Sequence, residues 1–409
     1  MQRIIGALQS YPIVGAILIV VALNVALLKF DPLRNLNPDS LPAAKTWVWW
    51  AAQDYKQRQP APDVALLGCS IVMHSIWFAE ATHRNQPVEL IVDHECRALS
   101  DKVSKLVPGT HPRVFNFGLP GAMPSDDTMI VRALFNGQHK PKVVVLGLAP
   151  RDTFDNTFHT PAGTKHYQYL SRFTEVHEPE DMLVPQVWER PKFWMQRAIY
   201  LKDKAKAIQN VASAEIRSVG LPVLSQFPRS PLDSAPKDED RTYALFKDEL
   251  ERGFWIAQPN APYRYTDVAW DAKRKIGAPN NSMFKIQTQW IAKFIEACKE
   301  RDIAVVVVNL PVSTVARQIM GEPLYQRHVA LLQDLSKRYN CTVVDSNNTA
   351  TYQPSDWTDW AHMRDRGGLK ILDAMAQAIA KDQQAVALLR SNTTGSRQIA
   401  GSSASPAGN

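Results

Sequence analysis

The chain has 409 residues, which at about 100–200 residues per domain corresponds to two or three domains. Hydrophobic residues make up 45% and charged residues 21%, and these proportions exclude a disordered, collagen-like or coiled-coil chain as a whole. The net charge of +7 is spread along the sequence, and the four cysteines are too few for a disulfide scaffold, so we expect no nucleic-acid partner and a globular core.

The first segment differs sharply from these averages. Residues 4–28 carry no formal charge, and about 20 apolar residues span a bilayer as a helix. A cleaved signal peptide would end in a small-residue site, which we do not find before Lys29, so the pattern predicts an uncleaved membrane anchor over residues 1–30. A signal peptide or a buried core helix is the alternative. Only Arg3 and the amino terminus precede the segment, whereas Lys29, Arg34 and Lys45 follow it, and this distribution does not favour an outside location for the rest of the chain.

Apolar runs and helical patterns alternate through the rest of the sequence. Continuous β-branched runs are typical of strands buried on both faces of a parallel sheet, and these are at 64–67, 114–117, 143–148, 303–310 and 342–344. Helical periodicity lies between and after them, at 126–136, 284–301, 322–339 and 367–381. The alternation predicts an α/β doubly wound domain.

Three stretches do not follow this alternation. Residues 31–63 form a polar linker whose tryptophans, Trp47, Trp49 and Trp50, suit either a membrane interface or a packed helix. Residues 153–282, rich in proline, tryptophan and charge, read as a large insertion between the third and fourth strands, either a lid or substrate platform or a decorative subdomain, with a helix at 194–218. Residues 384–409 end in a Ser/Gly-rich segment and predict a disordered tail, so the α/β domain is split into 64–152 and 283–383.

Polar residues just past the strands are the candidates for chemistry, because active groups collect at the carboxyl ends of parallel strands. Gly68-Cys69-Ser70 follows the first strand, and a serine there can begin a helix whose amides stabilise an oxyanion; a capping serine is the alternative. Asp359 precedes His362 by three residues after the last strand, a spacing that lets the carboxylate orient the imidazole toward a serine hydroxyl.

Two further positions complete the set. The stretch from Asn116 to Gly121 follows the second strand, where a glycine can bring a backbone amide to an oxyanion or simply form a turn. The order Gly-x-Ser, Asn-x-Gly-x-x-Gly and Asp-x-x-His resembles the SGNH (GDSL-like) hydrolase superfamily. The resemblance implies a flavodoxin-like α/β/α sandwich and a Ser-His-Asp triad, with Ser70 as nucleophile, Gly121 as oxyanion glycine, His362 as base and Asp359 as its orienting acid.

The sequence departs from that family in its third block, where Gly-x-Asn-Asp is expected. Gly147 to Asp152 stands there, and Arg151 lies nearest the place of the oxyanion-donating asparagine, either as a cationic donor or substrate ligand or as a structural partner of a nearby aspartate. With its anchor, the chain looks like the membrane-tethered branch that includes the teichoic acid D-alanyl transfer and alginate O-acetylation proteins. That likeness implies an extracytoplasmic acyltransferase or esterase acting on a glycan or acylated carrier beside a multi-spanning O-acyltransferase partner.

Other interpretations stay open at this stage. A catalytically degenerate scaffold or binding subunit would explain the missing asparagine, and a cytoplasmic-facing binding module would explain the charges after the anchor. His74, one turn past Ser70, is a second candidate base, and Cys69 a conceivable thiol nucleophile. The scattered histidines and the lack of a nucleotide-binding motif predict neither a metal nor a cofactor.

Overall fold

The computed structural model describes residues 12–32, 46–157, 160–203, 256–348 and 350–391. The chain divides into two compact units, one formed by residues 1–46 and 186–246 and the other by residues 47–185 and 247–409. Residues 33–45 of the predicted linker 31–63 lie outside the described residues. So do residues 1–11 of the anchor and residues 204–218 of the predicted helix 194–218.

Helices and strands alternate along the chain. The helices are α1 (Pro12–Phe30), α2 (Trp47–Gln57), α3 (Ser70–Arg84), α4 (Arg97–Leu106), α5 (Pro124–Leu134), α6 (Arg151–Phe154), α7 (Lys165–Leu170), α8 (Glu180–Leu183), α9 (Arg190–Ala198), α10 (Tyr200–Asp203), α11 (Ala269–Ile276), α12 (Asn281–Lys299), α13 (Thr314–Met320), α14 (Glu322–Tyr339), α15 (Asp365–Lys381) and α16 (383–391). The strands are β1 (Val64–Leu67), β2 (Val88–Glu89), β3 (Val114–Asn116), β4 (Val143–Leu148), β5 (Ile256–Ala257), β6 (Ala304–Asn309) and β7 (Thr342–Asp345).

The smaller unit contains α1 and the segment around α9 and α10. Helix α1 is long and apolar enough to cross a membrane, as an anchor or as a signal sequence, and its apolar side chains are almost all exposed. The helix predicted for 194–218 is confirmed over its described part, residues 194–203, except for a break at Ile199 between α9 and α10.

The larger unit is built on a five-stranded parallel sheet with the order β3-β1-β4-β6-β7. The five strands are those that the apolar runs predict, and only their ends differ: β3 and β6 are shorter than 114–117 and 303–310, and β7 extends one residue past 344. Numbered among themselves along the chain, the sheet strands lie in the order 2-1-3-4-5, so the connections reverse direction between β1 and β4. The predicted mixed α/β architecture with a parallel sheet is confirmed.

Both faces of the sheet are buried, which explains why the strands are continuously apolar. Alternate residues of a strand point to opposite faces. Val64, Val145 and Val306 pack with residues of α3, α4 and α15, whereas their neighbours, such as Ala65 and Val144, are equally buried away from that cluster. Helices α5 and α12 pack against each other, and α12 also contacts β6.

Both ends of the predicted insertion 153–282 belong to the larger unit, which includes residues up to 185 and from 247 onward. Strand β5 pairs with β2 in an antiparallel ribbon that the sequence pattern does not reveal. Helix α11 buries Ala272 and Ile276 in the core of the unit. The lid or platform role of 153–282 stays a prediction.

Two predictions at the margins of the domain are now decided. Trp47 is buried at the start of α2. Further along the same helix, the ring centre of Tyr55 lies 5.5 Å from that of Phe115 and 5.1 Å from that of Phe117, so this segment is a packed helix. The tail begins later than residue 384, because α16 buries Ala385 completely; residues 392–409 lie outside the described residues.

Candidate active site

Ser70 is the first residue of α3, directly beyond the carboxyl end of β1. Gly68 makes the turn between strand and helix with a φ of +138°, and a Cβ there would lie 2.7 Å from the carbonyl oxygen of Gly147, so both conformation and space require glycine. The hydroxyl therefore stands at a helix N-terminus, where the free amides carry partial positive charge.

Asp359 and His362 occupy a tight loop between β7 and α15. An antiparallel bridge between Trp357 and Met363 closes the loop, and Thr358 donates to the carbonyl oxygen of His362 from its amide and its hydroxyl, at 2.9 and 3.0 Å. Asp359 accepts from the amides of Ala361 and His362 through Oδ1, at 2.7 and 2.8 Å. This local network holds the carboxylate and the imidazole in one orientation.

Helix α15 fixes the distance of that loop from Ser70. It packs along α3, and Gly368 makes the approach possible, because a Cβ there would overlap the carbonyl oxygen of Ser75. Gly367 and Gly368 stand together in the first turn of α15, although glycine is a poor helix former. The close approach of these helices is thus what joins two segments 292 residues apart.

Ser70, His362 and Asp359 form a continuous chain of hydrogen bonds. The Nδ1 atom of His362 lies 2.8 Å from Oδ2 of Asp359, and Nε2 lies 2.9 Å from Oγ of Ser70. Burial alone would raise the pKa of Asp359, but the hydrogen bond and charge of His362, together with the two amides, lower this pKa to about 2. The ionised carboxylate accepts only, so Nδ1 carries the proton and Nε2 is free to accept the proton of Ser70.

Arg151 contacts the same serine. It follows β4, is 5% exposed, and donates from Nη1 to Oγ of Ser70 at 3.3 Å and from Nη2 to Oδ2 of Asp155 at 3.0 Å. Burial would lower the pKa of Arg151, but the neighbouring carboxylates of Asp155 and Asp152 raise it, so the guanidinium stays charged. Of the roles that the sequence left open, the partnership with an aspartate is present in these contacts. Donation to an oxyanion or to an anionic substrate stays a prediction, and the contact with Ser70 places the cation where either would be possible.

Gly121 and Asn116 belong to a loop that hydrogen-bonds near the start of α3 but not to the serine itself. Gly121 has a φ of +70°, and Asn116 accepts from the amide of Gly118 at 2.9 Å through Oδ1. The loop crosses the start of α3, because Leu119 donates to the carbonyl oxygen of Gly68 at 3.0 Å. Among the hydrogen bonds of the described residues, none joins Gly121 or Asn116 to Ser70, and their oxyanion roles stay predictions.

His74 is beside the imidazole of His362 rather than beside the serine. Its Nδ1 lies 3.0 Å from the carbonyl oxygen of Met363, and the two imidazole rings are 5.1 Å apart. Burial, with the charge of His362, lowers the pKa of His74 to about 4. His74 is consequently neutral near pH 7 and, within the described chain, makes no hydrogen bond to Ser70, so His362 is the better candidate base.

The depressed pKa of His74 predicts a pH-dependent loss of stability. An unfolded histidine takes up its proton near pH 6.5, whereas folded His74 takes it up only near pH 4. The unfolded state therefore binds the proton first, and as the pH falls from 6.5 to 4 this residue lowers the free energy of unfolding by about 3 kcal/mol. We expect His74→Gln to remove that part of the slope in urea unfolding of the detergent-solubilised chain. His83→Gln, on the exposed side of the same helix, is the control; an unchanged slope in His74→Gln would contradict the prediction.

Cys69 is a poor competitor for Ser70 on electrostatic grounds. The thiol is 1% exposed, and burial, followed by the negative charge of Asp152, raises its pKa well above the usual value. A thiol held protonated is a poor nucleophile. Among the described residues, no group of three or more histidine, cysteine or acidic side chains converges on a point where a metal ion could bind.

An apolar recess opens beside the serine, and the sequence does not reveal it. Its enclosed volume is about 20 Å³, about what one water molecule needs, and Arg151 forms its polar edge. Its apolar lining includes Ile71, Ile276, Ala316, Met320, Trp360 and Ala361. These residues come from α3, α11, α13 and the His362 loop, and no local pattern marks segments so distant in sequence as neighbours.

The arrangement has the parts that nucleophilic acyl chemistry needs: a hydroxyl, a base that accepts its proton, a carboxylate that orients the base, and donors near the hydroxyl. The same arrangement on unrelated folds is recognised by geometry rather than by sequence position. In comparisons with known proteins, no protein-family model and no curated sequence matches this chain.

Proposed function

We propose that the protein is a membrane-anchored serine O-acyltransferase or esterase of the SGNH-like kind, acting on O-acyl groups of a cell-envelope or exported polysaccharide. The observation that carries the proposal is the hydrogen-bond chain from Ser70 through His362 to Asp359, with links of 2.9 and 2.8 Å. The strand order 2-1-3-4-5 supports it, since flavodoxin-like sheets have this order and bind ligands at the reversal point, where Ser70 and Arg151 stand.

The chemistry proceeds in two steps, acylation and deacylation of Ser70. Oγ of Ser70 attacks the acyl carbonyl while Nε2 of His362 takes the hydroxyl proton, and Asp359 stabilises the imidazolium. The guanidinium of Arg151 and the α3 amides face the negative oxygen of the tetrahedral intermediate. His362 then protonates the leaving alcohol, which leaves an acyl ester on Ser70. In the second step His362 takes the proton of an incoming hydroxyl, of a glycan or of water, and the oxygen of this hydroxyl attacks the acyl carbonyl. The bond to Ser70 then breaks, and His362 returns the proton to Oγ of Ser70.

Location and partners belong to the same proposal. The apolar helix α1 supports a membrane location, and the resemblance to the tethered branch favours an extracytoplasmic catalytic unit beside a multi-spanning O-acyltransferase partner. Such a partner would supply the acyl group, and transfer rather than hydrolysis would follow if a glycan hydroxyl reaches the acyl-serine before water.

The proposal is tested by labelling the detergent-solubilised full chain with a fluorophosphonate, which modifies activated serines. We expect the wild type to label and Ser70→Ala not to label. Ser104→Ala, which removes a serine from α4, is the matched control and should label like the wild type. Equal labelling of wild type and Ser70→Ala would refute the triad, and a folded wild type that does not label would favour the non-catalytic scaffold.

The recess next to Ser70 predicts which acyl groups are accepted. Met320, 9% exposed, limits the recess, and each methylene in an apolar pocket changes transition-state binding by about 1–3 kcal/mol. We expect Met320→Ala to raise the ratio of kcat/KM for 4-nitrophenyl butyrate over acetate by about tenfold.

The control for this prediction is Met375→Ala, which removes a fully buried methionine of α15 that does not line the recess. Both variants lose about 2–5 kcal/mol of stability, so a change in the ratio that appears only in Met320→Ala reports on the recess. The same ratio in all three proteins would show that the acyl chain lies elsewhere.

A further inference from the structure

The segment 187–201 is hydrogen-bonded to the last two turns of α1, within the smaller unit. Asn24 donates from Nδ2 to the carbonyl oxygen of Ala198 at 2.6 Å and accepts from the amide of Tyr200 through Oδ1 at 2.8 Å. The hydroxyl of Tyr200 lies 2.7 Å from Oδ1 of Asp31, just past the helix. Asn24 is the one polar side chain of the run 12–28, and both ends of its carboxamide hold this segment.

These contacts set the depth of the segment relative to α1. At about 1.5 Å per residue, Asn24 lies about 9 Å before the end of the helix at Phe30. Lys29 and Asp31 mark that end as the edge of the apolar run. When α1 spans a bilayer, Ala198 and the amide of Tyr200 are therefore about 9 Å inside the edge, and interfacial helices bury their apolar faces to about 5–10 Å.

The surface of the segment suits that depth. Trp188 is 75% exposed and Trp194 49%, and further large apolar side chains are exposed beside them, namely Val187, Met195, Ile199 and Leu201. An apolar patch of this kind on a water-facing surface is uncommon, whereas tryptophans are enriched where headgroups meet acyl chains. Arg190 and Lys192 stand on the same short stretch, where basic side chains can reach lipid phosphates.

We propose that residues 187–201 form a second membrane-contacting element, an interfacial segment that lies in the bilayer leaflet at the C-terminal end of α1 and inserts Trp188 and Trp194 among the lipid headgroups. The occupant of this surface is the lipid bilayer, because the hydrogen bonds of Asn24 hold the segment against the part of α1 that lies in the membrane. The anchor then contacts the membrane at two places in the sequence, and part of the interval 153–282 serves the membrane rather than a lid.

The test uses depth-dependent fluorescence quenching of the full chain in phosphatidylcholine–phosphatidylglycerol vesicles. All four native cysteines are buried, so a single introduced cysteine can be labelled with the NBD fluorophore under native conditions. We expect the label in Trp194→Cys to be quenched by lipids with a nitroxide near the headgroup and to be about fivefold less accessible to aqueous iodide than the label in Trp270→Cys. Trp270 is the matched control, 65% exposed in the larger unit.

A label in Leu18→Cys, in the middle of α1, separates the two ways in which the inference can fail. If position 18 is shielded from iodide while position 194 is as accessible as position 270, the segment is not interfacial although the anchor is embedded. If position 18 is accessible as well, α1 is not embedded and the inference falls with it. Asn24→Leu keeps α1 apolar but removes both hydrogen bonds, and we expect it to increase iodide quenching at position 194.

Discussion

Ser70→Ala, His362→Ala and the double variant are expected to lower kcat for hydrolysis of 4-nitrophenyl acetate by the same factor, about 10⁴–10⁶. The three losses coincide because the 2.9 Å contact between Nε2 of His362 and Oγ of Ser70 makes nucleophile and base one unit: without either, the other has nothing to activate or be activated by. Steady-state kinetics on the solubilised full chain measures the losses, with Ser104→Ala as the unaffected reference.

Asp359→Asn gives the internal check on this result. The amide cannot hold the proton of His362 on Nδ1 as the carboxylate does, so a histidine tautomer unable to accept from Ser70 is favoured, and we expect a loss of about 10⁴ in kcat. Losses of Ser70→Ala and His362→Ala that multiply in the double variant would mean that the two side chains act independently, contrary to the proposed mechanism.

Arg151→Lys is expected to lower kcat by about 10² with little change in KM, because a lysine is a point charge and cannot contact Ser70 and Asp155 at once. The loss falls on kcat when the missing donor serves the transition state and not the bound substrate. Arg132→Lys is the matched control, because Arg132 also pairs with a buried carboxylate, that of Glu178, at a distance of 2.7 Å from Nη1 to Oε1. Arg132 makes no contact with the serine among the hydrogen bonds of the described residues, and we expect this variant to leave kcat unchanged.

The structural role of Arg151 is separated from its chemical role by a second pair of variants. Arg151→Ala leaves Asp155, 1% exposed, without its cation, and we expect a loss of about 3–5 kcal/mol in the free energy of unfolding. Arg151→Ala with Asp155→Asn removes the stranded charge and should recover most of the stability without recovering kcat. Recovery of both would mean that Arg151 acts only as a partner of Asp155.

The strands and the core of the site were predictable from local patterns. Strands β1 and β4 coincide with the apolar runs 64–67 and 143–148, since a strand buried on both faces has no polar side to obscure its limits. Asp359 and His362 were found together because three residues of separation bring them into one loop. Ser70 was found because it follows a strand that ends in a glycine, and every sheet strand ends at the same edge.

Other features could not be predicted from such patterns. The helical pattern over 194–218 does not predict the break at Ile199. There the carbonyl oxygen of Ala198 and the amide of Tyr200 form hydrogen bonds with the side chain of Asn24 instead of continuing the helix. The pair of β2 and β5 is two residues long on each strand, too short for a recognisable alternation. The recess beside Ser70 depends on Met320 and Ile276, which no spacing connects to the serine.

The sequence by itself determined the apolar helix, the parallel sheet and the residue types that stand past each strand, because hydrophobic periodicity and strand ends are local properties of the chain. Only the tertiary structure decided that Ser70, Arg151 and His362 meet. Their contacts depend on a glycine that lets α15 approach α3, on the reversal of strand order between β1 and β4, and on the ion pair with Asp155 that keeps the buried Arg151 charged. The composition that allowed two or three domains corresponds to two compact units, and the tertiary hydrogen bonds of Asn24 join residues 187–201 to the helix that the sequence identified first.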